Sequence, residues 1–188
     1  GTSDALKKAL ENLKKIDQGP GDRMSKALQD GDFREAERQL DKILKQLASN
    51  QLTPEQQQKL AEQIKQIDKA LQKSQQDMQK GIEKLEEEIR KATEAGDMNR
   101  AGQLQKKMEE MQMALEKSQQ NQGLQEQLQK AAQALEKGDA AEAQEALEEM
   151  MGQIGELAAN SESLSELNEM LSDLQNAKKL SGTDSDKD

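Results

Sequence analysis

Residues 27–36 read ALQDGDFREA, and the same frame returns at 92–101 as ATEAGDMNRA and at 134–143 as ALEKGDAAEA. The shared pattern is Ala-x-x-x-Gly-Asp-x-x-x-Ala. Glycine takes the left-handed conformation that closes a helix with no Cβ penalty. An aspartate directly after it accepts hydrogen bonds from the free amides of the next helix. The alanines, four residues before the glycine and five after it, let two helical backbones approach closely beside the turn. The pattern therefore predicts a tight helix–turn–helix reversal at Gly31-Asp32, at Gly96-Asp97 and at Gly138-Asp139.

Working outward, the segments between these corners read as helix. The first begins near Ser3 or Asp4, either of which can cap it, with a stripe of Leu6, Leu10, Leu13 and Ile16. It stops in DQGPGD, residues 17–22, where Gly19, Pro20 and Gly21 break any helical path. A short helix with Met24, Ala27 and Leu28 leads to the first corner. The next carries Phe33, Ala36, Leu40, Ile43, Leu44 and Leu47 at helical spacing. Thr53 with Gln56 then forms a capping box, and Pro54 takes the favoured first position of a helix. From Pro54 to Ala95 the apolar residues step by four and three, apart from two successive fours around Met78 and Ile82, a stutter that locally unwinds a supercoil. One helix over this span measures about 60 Å at 1.5 Å per residue, with Gly81 as a place where it can bend. Ala101, Leu104, Met108, Met111 and Leu115 continue to a polar turn at 118–123, and Leu124, Leu128, Ala131 and Leu135 lead to the third corner. A further cap is expected at Asn160/Ser161, ahead of Leu164, Leu167, Leu171 and Leu174.

A shift of 107 positions superposes two regions without a gap. Gly31 falls on Gly138, Ala36 on Ala143, Leu40 on Leu147, Ile43 on Met150, Leu44 on Met151 and Leu47 on Ile154. Thr53 falls on Asn160, and Leu60, Ile64 and Ile67 fall on Leu167, Leu171 and Leu174. Turn chemistry and apolar period agree together, which indicates an internal repeat of three helices per copy. The expected organisation is an N-terminal helix and Gly/Pro linker at 1–22, a first copy at 23–95, a connecting helix at 96–123, a second copy at 124–180 and a disordered tail at 181–188. The opening GTSD resembles a cloning remnant ahead of the native segment.

GDFREAERQLDKIL is similar to the turn and second helix of a tetratricopeptide-type hairpin. Gly31, Asp32, Phe33, Ala36, Leu40, Ile43 and Leu44 carry the likeness. GDAAEAQEALEEMM matches less fully, with Ala140 where the aromatic stands, and the three corners lie 65 and 42 residues apart rather than at that family's fixed 34-residue period. The Gln/Glu/Ala-rich texture also resembles the long helical segments of large bacterial coiled-coil proteins. The resemblance implies a shared way of building a helical hairpin rather than membership of either group.

Composition narrows the rest. Of 188 residues, 32% are hydrophobic and 34% charged, and Phe33 is the sole aromatic. Ala, Leu, Glu, Gln and Lys favour helix, and few β-branched residues are present. So little apolar material suits a thin array in which each helix buries one narrow stripe. A net charge of −10 disfavours nucleic acid and anionic lipid, which both need a cationic face. No stretch approaches the ~20 apolar residues of a membrane span. Without Cys, disulfides and thiol chemistry are absent, which fits a reducing or an oxidising compartment equally.

The sequence has no His, Cys, Trp or Tyr, and so lacks the usual general bases, thiol nucleophiles and soft metal ligands. No catalytic, cofactor or metal site is expected. DGD at 30–32 and DSDKD at 184–188 do not have the ligand spacing of a calcium loop, and read as a cap and a solvated tail. Met108, Met111, Met113, Met150 and Met151 could form an adaptable docking groove. Their helical spacing points instead to core filling, with Met113 as the exposed contact. Between Gly138 and Ala177 there are ten acidic residues and no Lys or Arg. This is either a surface for a basic partner or, as expected here, a solvated outer face.

The sequence thus predicts an all-α fold: an elongated array of antiparallel helical hairpins or short bundles, with one long coiled-coil-like helix at about 54–95. The expected function is a non-catalytic scaffold or protein–protein interaction module. The alternative is a spacer that self-associates as a coiled coil within a larger protein.

Overall fold

A computed structural model describes residues 2–11, 13 and 18–180, with side chains beyond Asn160 described for Met170 and Leu174. Among these residues the structure is all-α, with seven helices. They are α1 (Thr2–Leu10), α2 (Asp22–Asp30), α3 (Phe33–Ala48), α4 (Pro54–Glu94), α5 (Met98–Gln119), α6 (Gln122–Lys137) and α7 (Ala140–Leu180). The first stripe is shorter than expected. α1 ends at Leu10, Leu13 is buried beyond the helix, and Ile16 lies outside the described residues, as does the tail at 181–188.

All three glycine corners form. Gly31, Gly96 and Gly138 have φ of 74°, 76° and 75°, in the left-handed region that suits glycine. At each, the aspartate amide donates to the carbonyl of the motif's first alanine: Asp32 to Ala27 at 2.8 Å, and Asp97 to Ala92 and Asp139 to Ala134 at 2.9 Å. The aspartate's own carbonyl accepts from the motif's second alanine: Ala36, Ala101 or Ala143, each at 3.0 Å. Its carboxylate caps the next helix, accepting from the amides of Glu35, Arg100 and Glu142 at 3.2, 3.2 and 3.1 Å. The two alanines are therefore the ends of one hydrogen-bonded unit, and all six are buried. Each corner closes one helix with a Schellman-type bond and opens the next with a side-chain cap.

The corner geometry carries a stability prediction. A Cβ added at Gly138 meets nothing within 4 Å, so Gly138→Ala isolates the cost of a left-handed alanine, about 1 kcal/mol. At Gly31 the same Cβ would sit 2.6 Å from Lys7 Cδ, so Gly31→Ala should cost more. Urea unfolding midpoints of the two variants measure the difference.

α4 is one helix of 41 residues, as its stripe predicts. Its capping box is complete: Gln56 Oε1 accepts from the Thr53 amide at 2.9 Å and Thr53 Oγ1 from the Gln56 amide at 3.1 Å. Asn50 before it turns the chain with φ of 57°. The expected matching break at Asn160/Ser161 does not form, and α7 runs unbroken from Ala140 to Leu180. Residues 124–180, expected to form three helices, thus lie in two. Position by position the reason is local. Asn50 is matched by Leu157, which has no side chain suited to a left-handed turn, and Pro54 by Ser161, so nothing stops the helix through GELAANS.

The helices pack in an order that differs from the chain. Each corner joins a packed pair, α2 with α3, α4 with α5, and α6 with α7. Beyond these, α3 packs on α7 and α4 on α6, while α3 and the α4 that follows it are not a major packed pair. α1 touches α2, α4, α5 and α7. The main core draws on α1, α2, α3, the first half of α4, α6 and α7, with Leu10, Leu40, Ile64 and Leu147 fully buried. A separate small cluster of Ala92, Ala101 and Leu104, backed by Leu85 and Ile89, holds the far end of the α4–α5 pair. Gly155 leaves room for α3 against α7, because a Cβ there would collide with the Glu37 carboxylate.

The Gly-Pro-Gly linker is held by one buried glutamine. Gln63 Oε1 accepts from the Gly21 amide at 2.8 Å, and its Nε2 donates to Asp22 Oδ1 at 2.6 Å. Asp22 also accepts from the Gln18 and Gly19 amides, each at 3.0 Å. A Cβ at Gly19 or Gly21 would lie 2.6 or 2.7 Å from Gln63 Oε1. Both glycines are therefore needed for the backbone to reach the amide, and the clasp fixes the start of α2 against α4.

Candidate functional site

The largest groove among those described lies where α1 crosses the α4–α5 pair, with a volume of about 840 Å³. Its apolar floor includes Ala5, Ala9, Ala70, Met78, Leu85 and Met111. Lys8, Lys73, Lys84 and Lys107 line it together with Glu11, Asp77, Glu88 and Glu110, so its charged lining is electrically balanced although the chain is acidic. Gly81 opens the floor: a Cβ there would stand 2.6 Å from Met111 Sδ. The two helices meet over the glycine, and the thioether covers it. Met78 and Met111 are both half-buried and can adapt to different contacts because their side chains are unbranched and polarizable.

The five methionines singled out from sequence do not gather in one place. Met150 is fully buried in the main core and Met151 packs against it, which is the core-filling role expected of them. Met108 and Met111 are half-buried on α5, Met111 in the groove. Met113 points away and is 56% exposed. Gly81 was legible only as a bend; its role as the groove floor depends on which α5 residue faces it, and that is a tertiary fact.

A smaller cleft of about 320 Å³ between α4 and α6 contains Asp68, Lys65, Lys69 and Gln129. Asp68 is buried. Its Oδ2 accepts from Gln72 Nε2 at 3.0 Å and Gln129 Nε2 at 3.2 Å, and its Oδ1 is buried without a hydrogen-bond partner. Lys65 pairs instead with Glu136. Burial pushes the Asp68 carboxyl above its ordinary value of 3.8, opposed in part by the Gln129 hydrogen bond. Nothing in the sequence marked this residue, which sits one position after Ile67 on the stripe.

The sign of its pH effect follows. The folded state keeps the Asp68 proton to a higher pH than the unfolded chain does, so stability falls as pH rises from the ordinary value through the raised one. Asp68→Asn should therefore be more stable than the wild type at about pH 7, and its advantage should shrink as pH falls towards about 4. Denaturant titrations of both proteins across that range measure it.

Elsewhere most charged groups among the described residues are solvated. Asp139 at the cap of α7 and Glu142, Glu145, Glu148, Glu149 and Glu156 along it are exposed. Arg90 binds Glu87 at 2.5 Å and Glu94 at 2.6 Å along α4, and its guanidinium hydrogen bond lowers the Glu87 carboxyl. Such exposed pairs contribute little to stability. Asp32 of the DGD stretch is a helix cap, and DSDKD lies outside the described residues. Among the described residues no group of three or more acidic side chains could hold a metal ion, and no helix is long and apolar enough to cross a membrane.

No protein-family model, no curated protein sequence and no solved structure matches this chain.

Proposed function

We propose that this chain is a non-catalytic helical scaffold, built from tetratricopeptide-like hairpins, that docks a helical segment of another protein in the groove beside Gly81. The observation that carries this reading is the groove itself. An apolar lining with two adaptable methionines, accompanied by four Lys and four Glu/Asp, suits the apolar stripe and charged flanks of an amphipathic helix. The balanced lining and the net charge of −10 favour protein over nucleic acid. A sequence without His, Cys or Tyr supports a role without catalysis. Positions 107 apart are buried alike, Ala27 with Ala134, Leu40 with Leu147 and Leu47 with Ile154, which supports reading the two hairpins as copies of one unit.

The test uses a displayed library of amphipathic helical peptides selected on the intact chain. Selected peptides should bind the wild type and lose at least about tenfold in affinity, or 1.4 kcal/mol, to Gly81→Leu, which fills the floor. Selection of no helix, or binding indifferent to Gly81→Leu, overturns the proposal.

A second reading, a self-associating spacer, is favoured by Met170 and Leu174, which are exposed one turn apart on the last part of α7. Light scattering on a size-exclusion column separates the two. The scaffold reading predicts a monomer, and a dimer that persists on dilution favours the spacer.

A further inference from the structure

The seat of α1 beside α2 parallels the seat of α4 on α6. Along α4 the buried stripe includes Leu60, Ile64 and Ile67, spaced by four and three. Along α1 and just past its end it is Leu6, Leu10 and Leu13, with the same spacing and the same burial. One step of 54 carries each of the first set onto the second, while a step of 107 carries α6 onto α2. Both steps together predict that the contact between Lys65 of α4 and Glu136 of α6 has a counterpart between positions 11 and 29. It does: Gln29 Nε2 donates to the Glu11 carbonyl at 3.0 Å. In both seats the docked helix runs antiparallel to its partner. Lys7 lies over the Gly31 corner and Glu11 beside Gln29 in the last turn of α2, as Gln58 meets Glu136 and Asp68 meets Gln129.

The sequence carries this stripe a third time, as Leu167, Leu171 and Leu174. Leu174 stands 107 positions after Ile67, yet Ile67 is 1% exposed and Leu174 60%. Resting on the reading of the two hairpins as copies, we propose that residues 161–180 of this chain are an alternative occupant of the α2 seat, exchanging with α1 in the same molecule. In the first copy the chain leaves α3, turns at 49–53 and lays α4 across the other copy's hairpin. The same path from α7, turning at 156–160, lays 161–180 across α2. The straight form of α7 persists because GELAANS contains no turn residue where the first copy has Asn50 and Pro54. α1 is displaceable because it is nine residues long, too short for a helix stable by itself. Its departure need not loosen α2, whose start is held separately by the Gln63 clasp. α1 also forms one wall of the groove, so the exchange would open or close the docking surface.

The natural absence of cysteine makes the exchange directly readable by disulfide trapping in the full chain. The register places position 172 beside Gln29 in the exchanged form, where position 11 lies now. Gln29→Cys with Ser172→Cys reports the exchanged form, and Gln29→Cys with Glu11→Cys reports the present one. Adding Asn160→Thr and Ser161→Pro, which copies the Thr53-Pro54 helix start, should speed the 29–172 intramolecular disulfide by at least about tenfold and slow the 29–11 disulfide. Leu10→Glu, which unseats α1, should act in the same direction, and the turn variant keeps the test valid if that one fails to fold. If 29–172 never forms within a monomer while 29–11 forms in every variant, the proposal is wrong. Appearance of the 29–172 bond solely between two chains also overturns it, in favour of pairing with a second copy. Peptide docking at Gly81 is measured separately, so either idea can fail without the other.

Discussion

Leu147→Ala is expected to lower the unfolding free energy by about 3 kcal/mol, within the range of fully buried leucine truncations. Leu147 is completely buried on α7, the helix that packs on both α6 and α3, so the cavity is walled by three helices and cannot close by the movement of one. Leu40→Ala, its counterpart on α3 and equally buried, should cost as much. Leu85→Ala is the contrast, because Leu85 is half-buried at the small cluster of the α4–α5 pair and should cost about 1 kcal/mol. Equilibrium urea unfolding gives all three values. Equal losses at Leu85 and Leu147 would show that the two clusters are not energetically distinct.

The second large effect is expected at Gln63. Gln63→Ala removes the acceptor of the buried Gly21 amide and one donor to the exposed Asp22, which keeps the Gln18 and Gly19 amides, so one buried N–H is left without a partner at about 1–3 kcal/mol. Gln63→Glu is the sharper probe. It keeps the shape and the acceptor for Gly21, but sets a second carboxylate where a donor now lies 2.6 Å from Asp22 Oδ1. Repulsion between the two acids favours the protonated form, so this variant should regain stability relative to the wild type as pH falls towards about 4. Acid rescue of the glutamate variant and none of the alanine variant identifies the clasp as hydrogen bonding rather than packing.

How much of this was legible in the sequence depended on whether the physics was local. The corners at Gly31, Gly96 and Gly138 were, since a left-handed glycine and a capping aspartate act within a few residues. So was the start of α4, because Thr53, Pro54 and Gln56 complete a cap among themselves. The Asn160 cap was misread for the same reason in reverse: a capping residue does not end a helix when Leu157 and Ser161 around it are content to continue. The choice of α7 as the partner of α3 was not legible. A stripe such as Leu40, Ile43 and Leu47 says that a face is buried and is silent on what buries it. Gln63 was one glutamine among many, although Gly19-Pro20-Gly21 did mark the place it holds. The groove at Gly81 needed the register of α5 against α4, which Met111 alone could not reveal.

The account depends most on the chain doubling back at its glycine–aspartate corners, and the α4–α5 pair offers the longest lever. Spin labels at Lys80→Cys and Glu110→Cys, both exposed, lie near the Gly81–Met111 contact. Doubling back at Gly96 places them on neighbouring helices with axes about 10 Å apart, and pulsed dipolar spectroscopy should then give a mean separation below about 25 Å. A helix continuing through Gly96 would hold the two positions about 45 Å apart at 1.5 Å per residue, and a distance distribution centred there contradicts the fold described.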